Sequence, residues 1–252
     1  MPWPILTGLL LLSMPNHIAG LSEFQPAPSP RPASFSDSIA NIASAQTRIW
    51  RFPAAMARGR HWKAVAAVTA TTAALVALDP VTGPYFRRTS DFRRFNAIFS
   101  GSNTTLAIAA LPASFYVAGL LGKNSYARTT ALLAGEAIAG SEILTSVMKN
   151  AGHRLRPAAI PPQGDLANTW FRDKGYSMGG AGSFPSGHTI AAFSVATVFA
   201  QRYRHHRWVP YVAYGLAGVI GFSRVTLLSH FPSDVFMGAA LGYSISRFVV
   251  LR

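Results

Sequence analysis

The sequence predicts an all-α protein, a bundle of six helices set in a membrane, and three observations point there. Six apolar segments alternate with polar connectors. Ala and Leu dominate those segments and none alternates with a period of two, so they read as helices rather than strands. Charged residues make up 13% of the 252-residue chain, about half the roughly 25% of a soluble domain, while hydrophobic residues reach 50%.

In chain order, the first apolar run is Ile5 to Met14, closed by Pro15. It is too short to span a bilayer and has the length of a signal-peptide core. No Lys or Arg precedes it, the first positive side chain being Arg31. A cleaved signal over residues 1–20 and its absence are equally compatible with this pattern. Residues 25–38, rich in Pro, Ser and Ala, read as a flexible linker. The stretch from Ile39 to Lys63 carries Arg48, Trp50, Arg51, Arg58 and Arg60 at mildly amphipathic spacing. It suits a membrane surface or a solvated helix face. Residues 21–60 are therefore expected to be linker and amphipathic segment, and residues 61–252 the functional domain.

The six apolar segments follow: Trp62–Leu78, Thr104–Leu121, Thr129–Met148, His188–Ala200, Trp208–Phe222 and Val235–Leu251. Several fall short of the roughly 17–25 residues of a membrane span, so a soluble helical bundle is the competing architecture. Trp62, Tyr116, Trp208 and Tyr211 lie near segment ends, where an interfacial belt or a core would each place them.

Lys and Arg outnumber Asp and Glu by 23 to 9, a formal charge of +14. Nucleic acid is disfavoured as the partner, because the basic residues flank apolar segments and build no continuous basic helix or reading motif. Anionic lipid or a phosphorylated substrate fits better. With no cysteine, disulfides, thiolate metal sites and a cysteine nucleophile are excluded. The nine acids are scattered without metal-ligand spacing, so no metal or other cofactor is expected.

Three clusters carry the chemistry. Lys149 and Arg156 stand seven residues apart, two helical turns, and Gly152 and Pro157 are placed to end the helix between them. Arg offers a fork to phosphate oxygens and Lys a point charge. Taken alone, such a run is more often an interfacial anchor. Next comes Gly179-Gly180-Ala181-Gly182-Ser183-Phe184-Pro185-Ser186-Gly187-His188, a glycine-rich entry to the fourth segment. A helix N-terminus there favours an anion, Ser186 adds a hydroxyl donor, and His188 could protonate a leaving oxygen. A capping serine in a glycine-rich loop is the plainer meaning. Last, Pro232 opens the sixth segment, so Asp234 falls in its first turn and can reach back to His230. An Asp–His hydrogen bond would fix the ring tautomer and leave its other nitrogen to attack phosphorus, with Arg224 as a third cation. A buried structural pair is the alternative. Glu136 and Glu142 lie inside the third apolar segment, where a charge is costly.

The ordered set Lys-x6-Arg-Pro, Pro-Ser-Gly-His, Ser-Arg-x5-His-x3-Asp over about residues 60–250 resembles the type 2 phosphatidic acid phosphatase superfamily. That superfamily includes bacterial class A acid phosphatases and vanadium haloperoxidases. The resemblance implies a six-helix bundle and a site in which Lys149, Arg156 and Arg224 bind phosphate oxygens with Ser186 and the Gly187 backbone. It further implies that His230 forms a phosphohistidine, Asp234 orients it, and His188 acts as general acid and then activates water, without a metal. The expected activity is hydrolysis of a lipid phosphate or diphosphate in the membrane. A vanadate-dependent haloperoxidase, a soluble periplasmic acid phosphatase and a catalytically silent relative are the alternatives. The basic connectors around Lys123 and Arg128 and from Arg202 to Arg207 place those ends in the cytoplasm by the positive-inside rule, leaving the motifs on the extracytoplasmic, periplasmic face. The arginines at 87, 88, 93 and 94 argue the other way.

Overall fold

The structure, a computed structural model, describes residues 35–59, 61–175 and 181–251. The expected signal segment, most of the linker, Arg60, and Gly179 and Gly180 of the second cluster lie outside the described residues.

Helix follows from the apolar, Ala-rich composition, and the ends are set by local chemistry. Eight α-helices are present among the described residues: α1 (Phe35–Ala57), α2 (Trp62–Arg88), α3 (Arg93–Ile98), α4 (Gly101–Leu121), α5 (Ser125–Gly152), α6 (Gly187–Arg202), α7 (Trp208–Thr226) and α8 (Pro232–Ile245). A single 3-10 turn at Pro157–Ala159 and a wide turn at Ser246–Val250 complete the helical segments. The described residues contain no strand. The six apolar segments all fall on helices, but the expected count of six becomes eight, because α1 and the short α3 are helical too.

Asn124 starts α5 by accepting the Ala127 N–H at 3.0 Å, and Ser100 starts α4 by accepting that of Asn103. At the far end of α5, His153 turns into the left-handed region (φ 41°), a conformation histidine tolerates better than most residues. Its N–H donates to Lys149 O at 3.0 Å. The first apolar segment ends at Leu78, but α2 runs on through Pro80 and Pro84 to Arg88. Asp79 and Arg87, on either side of those prolines, are each fastened to the rest of the chain, which holds the helix across two missing N–H donors.

The centre of the bundle is α6. Ile190, Val195, Val198 and Phe199 are buried among Ala191, Ala192, Ser194, Ala196, Thr197 and Ala200. A helix buried on all faces needs small residues to let its neighbours approach. On α8, Gly242 meets that demand: a Cβ there would lie 2.4 Å from Ile190 O. The amphipathic α1 packs on the middle of α5, with Ala45 and Ile49 buried and the Asn41 and Gln46 amides donating to Glu136 Oε1 and Gly140 O, both at 3.1 Å. Ile39, Trp50 and Phe52 of the same helix remain exposed.

By length and composition, α2, α4 and the Ser125–Ala159 stretch that begins with α5 can cross a membrane. Large apolar side chains on them, including Val81, Leu106 and Leu121, are exposed.

Candidate active site

The three clusters, separated by up to 85 residues, meet where α5 ends and where α6 and α8 begin. Lys149 is buried on the last turn of α5. A Cβ at Gly187, the first residue of α6, would lie 3.7 Å from Lys149 Nζ and 3.7 Å from Glu142 Oε1. The helix N-terminus, the lysine and the glutamate therefore converge on one spot. Ser186 is fully buried, and its hydroxyl accepts from Thr189 Oγ1 at 2.8 Å.

His230 is buried just before α8, and its partner differs from the expected one. Its Nδ1 lies 2.7 Å from the backbone carbonyl of Ser183 and 3.7 Å from Asp234 Oδ2. A carbonyl only accepts, so Nδ1 carries the hydrogen and Nε2 keeps its lone pair. The expected direct Asp–His hydrogen bond is replaced by this backbone contact. Asp234 spends its oxygens elsewhere: Oδ2 accepts from Ser183 Oγ at 2.5 Å and from the Phe231 N–H at 2.8 Å, and Oδ1 from Arg154 Nη1 at 2.6 Å. The carboxylate thus stays within ionic reach of the ring while bracing the loop that holds it.

Burial drives the His230 pKa below its ordinary value, the Asp234 carboxylate opposes this, and the charges of Lys149 and Arg156 add to the lowering. For Asp234 burial alone would raise the pKa, but His230, Arg154 and Ser183 hold it below the usual carboxylate range. The pair rests as a neutral imidazole beside a carboxylate.

His188, outside the three candidate spans, sits on the first turn of α6. Its Nε2 lies 3.2 Å from Gly101 O and 3.0 Å from Thr105 Oγ1, both on α4. Burial first and then the Arg224 charge push its pKa down to about 4. Arg224 itself is buried and braced: Nη2 donates to Thr104 Oγ1 and Ser223 Oγ, both at 2.9 Å, and to Phe99 O. Arg156, half-buried, is close enough for its charge to bear on both Lys149 and His230. The charges of Lys149 and Arg156 bear on His230, and those of Arg224 and Lys149 on His188.

Several residues of the site were missed in the sequence. Arg154 bridges Asp234 and Asp79, Ser183 contacts both His230 and Asp234, and Thr105 meets His188. Asp79 could have been suspected, since it follows directly on an apolar run where an ionised side chain needs a reason. Ser183 lies inside the glycine-rich cluster but carries no local sign of its role. Among the described residues, no group of three or more His, Cys, Asp or Glu is arranged to hold a metal ion.

A family model described as the PAP2 superfamily matches residues 130–252. A "Lipid A 1-phosphatase" of Porphyromonas gingivalis is 43% identical over 68 residues, which are 27% of this chain and 15% of that protein. A "Lipid A 4'-phosphatase" of the same organism is 29% identical over 108 residues, 43% of this chain and 44% of that protein. The chain thus spans less than half the length of either curated relative. A solved structure, the first transmembrane PAP2 type phosphatidylglycerolphosphate phosphatase from Bacillus subtilis, superposes with a TM-score of 0.42 and 22% identity. That match covers 81% of this chain and 94% of the other.

Proposed function

From the premise that residues 130–252 form a PAP2-superfamily region, we propose that this protein hydrolyses a lipid phosphate or diphosphate without a metal, through a phosphohistidine at His230. The observation that carries the reading is the Nδ1 contact of His230 with Ser183 O at 2.7 Å, which leaves Nε2 with its lone pair, on a ring that the charges of Lys149 and Arg156 also reach.

In the first step the Nε2 lone pair attacks phosphorus and the bond to the leaving oxygen breaks. Lys149, Arg156, Arg224, Ser186 and the Gly187 N–H take up the charge on the remaining phosphoryl oxygens. His188 gives the leaving oxygen its proton. In the second step neutral His188 takes a proton from water, the resulting hydroxide attacks phosphorus, and the P–N bond breaks to release inorganic phosphate. The low pKa of His188 comes first from burial and then from the Arg224 charge. A bound phosphate reverses that local potential and raises the proton affinity of the ring. Asp234 stabilises the cationic ring of His230 across 3.7 Å and holds the Ser183 loop in place.

The long apolar helices suit an amphiphilic substrate whose tails stay in the bilayer while its headgroup meets the cations. Two relatives are named for lipid A, so a phosphorylated glycolipid joins phosphatidic acid and isoprenyl diphosphates as a substrate class. For the face of the membrane, one contact supports the extracytoplasmic reading: Arg202 Nε donates to Thr130 Oγ1 at 3.1 Å and its guanidinium lies over the Tyr126 ring. This brings the basic 123–128 and 202–207 connectors together at the end opposite the site. The positive-inside rule then puts that end in the cytoplasm and the site outside. Arg87, which seemed to argue otherwise, donates to four carbonyls of residues 157–162.

The test is phosphate release by detergent-solubilised protein in EDTA, over phosphatidic acid, an isoprenyl diphosphate, a phosphorylated glycolipid and p-nitrophenyl phosphate, with His230→Ala alongside. Metal-independent release that vanishes in the variant supports the reading. Equal activity in both removes His230 as the nucleophile. Halide oxidation on adding vanadate, without phosphate release, would redirect the assignment to peroxidase chemistry.

A further inference from the structure

We propose that Asp79, on α2, is a positioning residue for this reaction, acting through Arg154 to hold and charge the Asp234 carboxylate beside His230. The inference rests on the phosphatase reading above and adds a residue outside all three sequence clusters.

Asp79 is fully buried, 75 residues from Arg154 and 154 from Ser233 in the chain. Arg154 spans two carboxylates: Nη2 donates to Asp79 Oδ2 and Nη1 to Asp234 Oδ1, each at 2.6 Å. Its Nη1 also donates to Ser233 Oγ at 2.7 Å and its Nε to Thr169 Oγ1 at 3.1 Å. Ser233 closes the ring by donating its hydroxyl to Asp79 Oδ2 and its N–H to Asp79 Oδ1. The guanidinium lies 4.8 Å from the Trp170 ring centre and 4.2 Å from that of Phe231. Hydrogen bonds at its edge and rings over its plane leave this arginine one position.

The charges explain why a second acid is there. One arginine and one aspartate would cancel, and Asp234 would then offer His230 a neutralised partner. With Asp79 the group carries one net negative charge, next to a ring that turns cationic when phosphorus bonds to Nε2. A buried cation shared between two carboxylates also keeps Asp234 ionised and aligned, while an ionic contact to one acid alone would leave it free to rotate. Because Asp79 sits on α2, it also ties an otherwise peripheral helix to the start of α8.

The charged and titratable groups bearing on His230 are Lys149 of α5, Arg156 of the following loop, His188 of α6, Asp234 of α8 and, through Arg154, Asp79 of α2. Of these, Asp79→Asn changes one charge far from the phosphate. The experiment compares full-length parent, Asp79→Asn, Asp234→Asn and the double variant, using phosphatidic acid in detergent micelles. Folding is checked by monodispersity. In histidine-¹⁵N-labelled protein, the His230 ring is titrated by NMR.

Asp79→Asn is expected to lower kcat about tenfold or more with KM changed less than about threefold, and to cost little further in the Asp234→Asn background. The His230 titration should move to lower pH, because removing a negative charge disfavours the imidazolium. Fully additive losses, or parental kcat and His230 titration in Asp79→Asn, would overturn the proposal. Should Asp79→Asn not fold, Ser233→Ala removes the bridging hydroxyl and keeps both charges. An unchanged kcat there counts equally against the inference. If the parent releases phosphate from none of the four substrates named above, the phosphatase reading has failed, and the NMR titration still decides whether Asp79 acts on His230.

Discussion

Ser183 grips His230 through its backbone: the Ser183 carbonyl accepts from Nδ1 at 2.7 Å, whereas the Asp234 carboxylate stands 3.7 Å away. The tautomer of the ring is therefore fixed by a main-chain atom that no substitution at 183 removes. The Ser183 hydroxyl has a separate task, donating to Asp234 Oδ2 at 2.5 Å.

Ser183→Ala should accordingly keep the His230 tautomer and lose the tie to Asp234, together with the long 3.4 Å contact of its hydroxyl with Nδ1. We expect a fall in kcat of about three- to tenfold, in line with one charge-assisted hydrogen bond. Asp234→Asn should cost far more, since it also leaves Arg154 without half of its counter-charge. Steady-state kinetics with ¹⁵N ring shifts separates the two effects. A Ser183→Ala protein with a changed tautomer would show that the carbonyl contact is not the controlling one.

Acid should weaken the fold through its histidines. His188 titrates at about 4 in the native site and His230 also below its ordinary value, whereas the unfolded chain protonates both near 6.5. Below pH 6.5 the unfolded state therefore binds more protons, and the stability present above that pH is lost as pH falls toward 4. Thermal melts of solubilised protein from pH 7.5 to 4.5 should show this decline. It should be shallower in His188→Gln, which has one such group fewer. An identical slope in the two proteins would mean that His188 binds protons equally well in the folded and unfolded states.

Packing predicts a sharp contrast between two glycines. A Cβ at Gly242 would press on Ile190 O at 2.4 Å and Ser194 N at 3.0 Å, both backbone atoms of the central helix. Gly242→Ala should destabilise by about 3 kcal/mol, since helix backbones cannot step aside cheaply. At Gly215 nothing lies within 4 Å, and Gly215→Ala should be neutral or slightly stabilising through helix propensity. Melting temperatures in one detergent settle the comparison, and equal shifts would contradict the close α6–α8 approach.

Arg87 offers a test of substrate binding from outside the motif clusters. Its guanidinium donates to Pro157 O at 2.8 Å, Pro161 O at 3.0 Å and Ile160 O at 3.2 Å, on the loop that carries Arg156. Arg87→Ala should raise KM by about three- to tenfold with a smaller effect on kcat, because a loosened loop lets Arg156 drift from the phosphate. Arg87→Lys should rescue little, as an ammonium cannot fork to several carbonyls at once. Parental KM in both variants would detach Arg87 from the site.

The helices were legible in the sequence wherever apolar runs were long: five of the six segments from Trp62 onward lie wholly on α-helices, and the sixth begins on α8 and runs on through the wide turn at Ser246–Val250. Hydrophobic composition and capping act within a few residues of the chain, so a local reading suffices. The cation and histidine clusters are local motifs in the same sense, but α5 ends at Gly152, so Arg156 lies beyond that helix instead of two turns along it from Lys149. The extension of α2 past Pro80 and Pro84 was not legible, because its causes, Arg154 and the carbonyls of residues 157–162, lie about 75 residues away.

What the sequence determined by itself is the inventory: an all-helical, charge-poor chain bearing three cations, two histidines and a carboxylate at fixed local intervals. What only the tertiary structure decided is the pairing. Asp234 is nearest His230 in sequence among the acids, yet the ring bonds to the Ser183 carbonyl and the carboxylate to Arg154, Ser183 and the Phe231 N–H. Backbone carbonyls carry no signature in a sequence. A buried arginine shared by two aspartates exists only after α2, the end of α5 and the start of α8 have packed, because burial is what forces those charges to find one another.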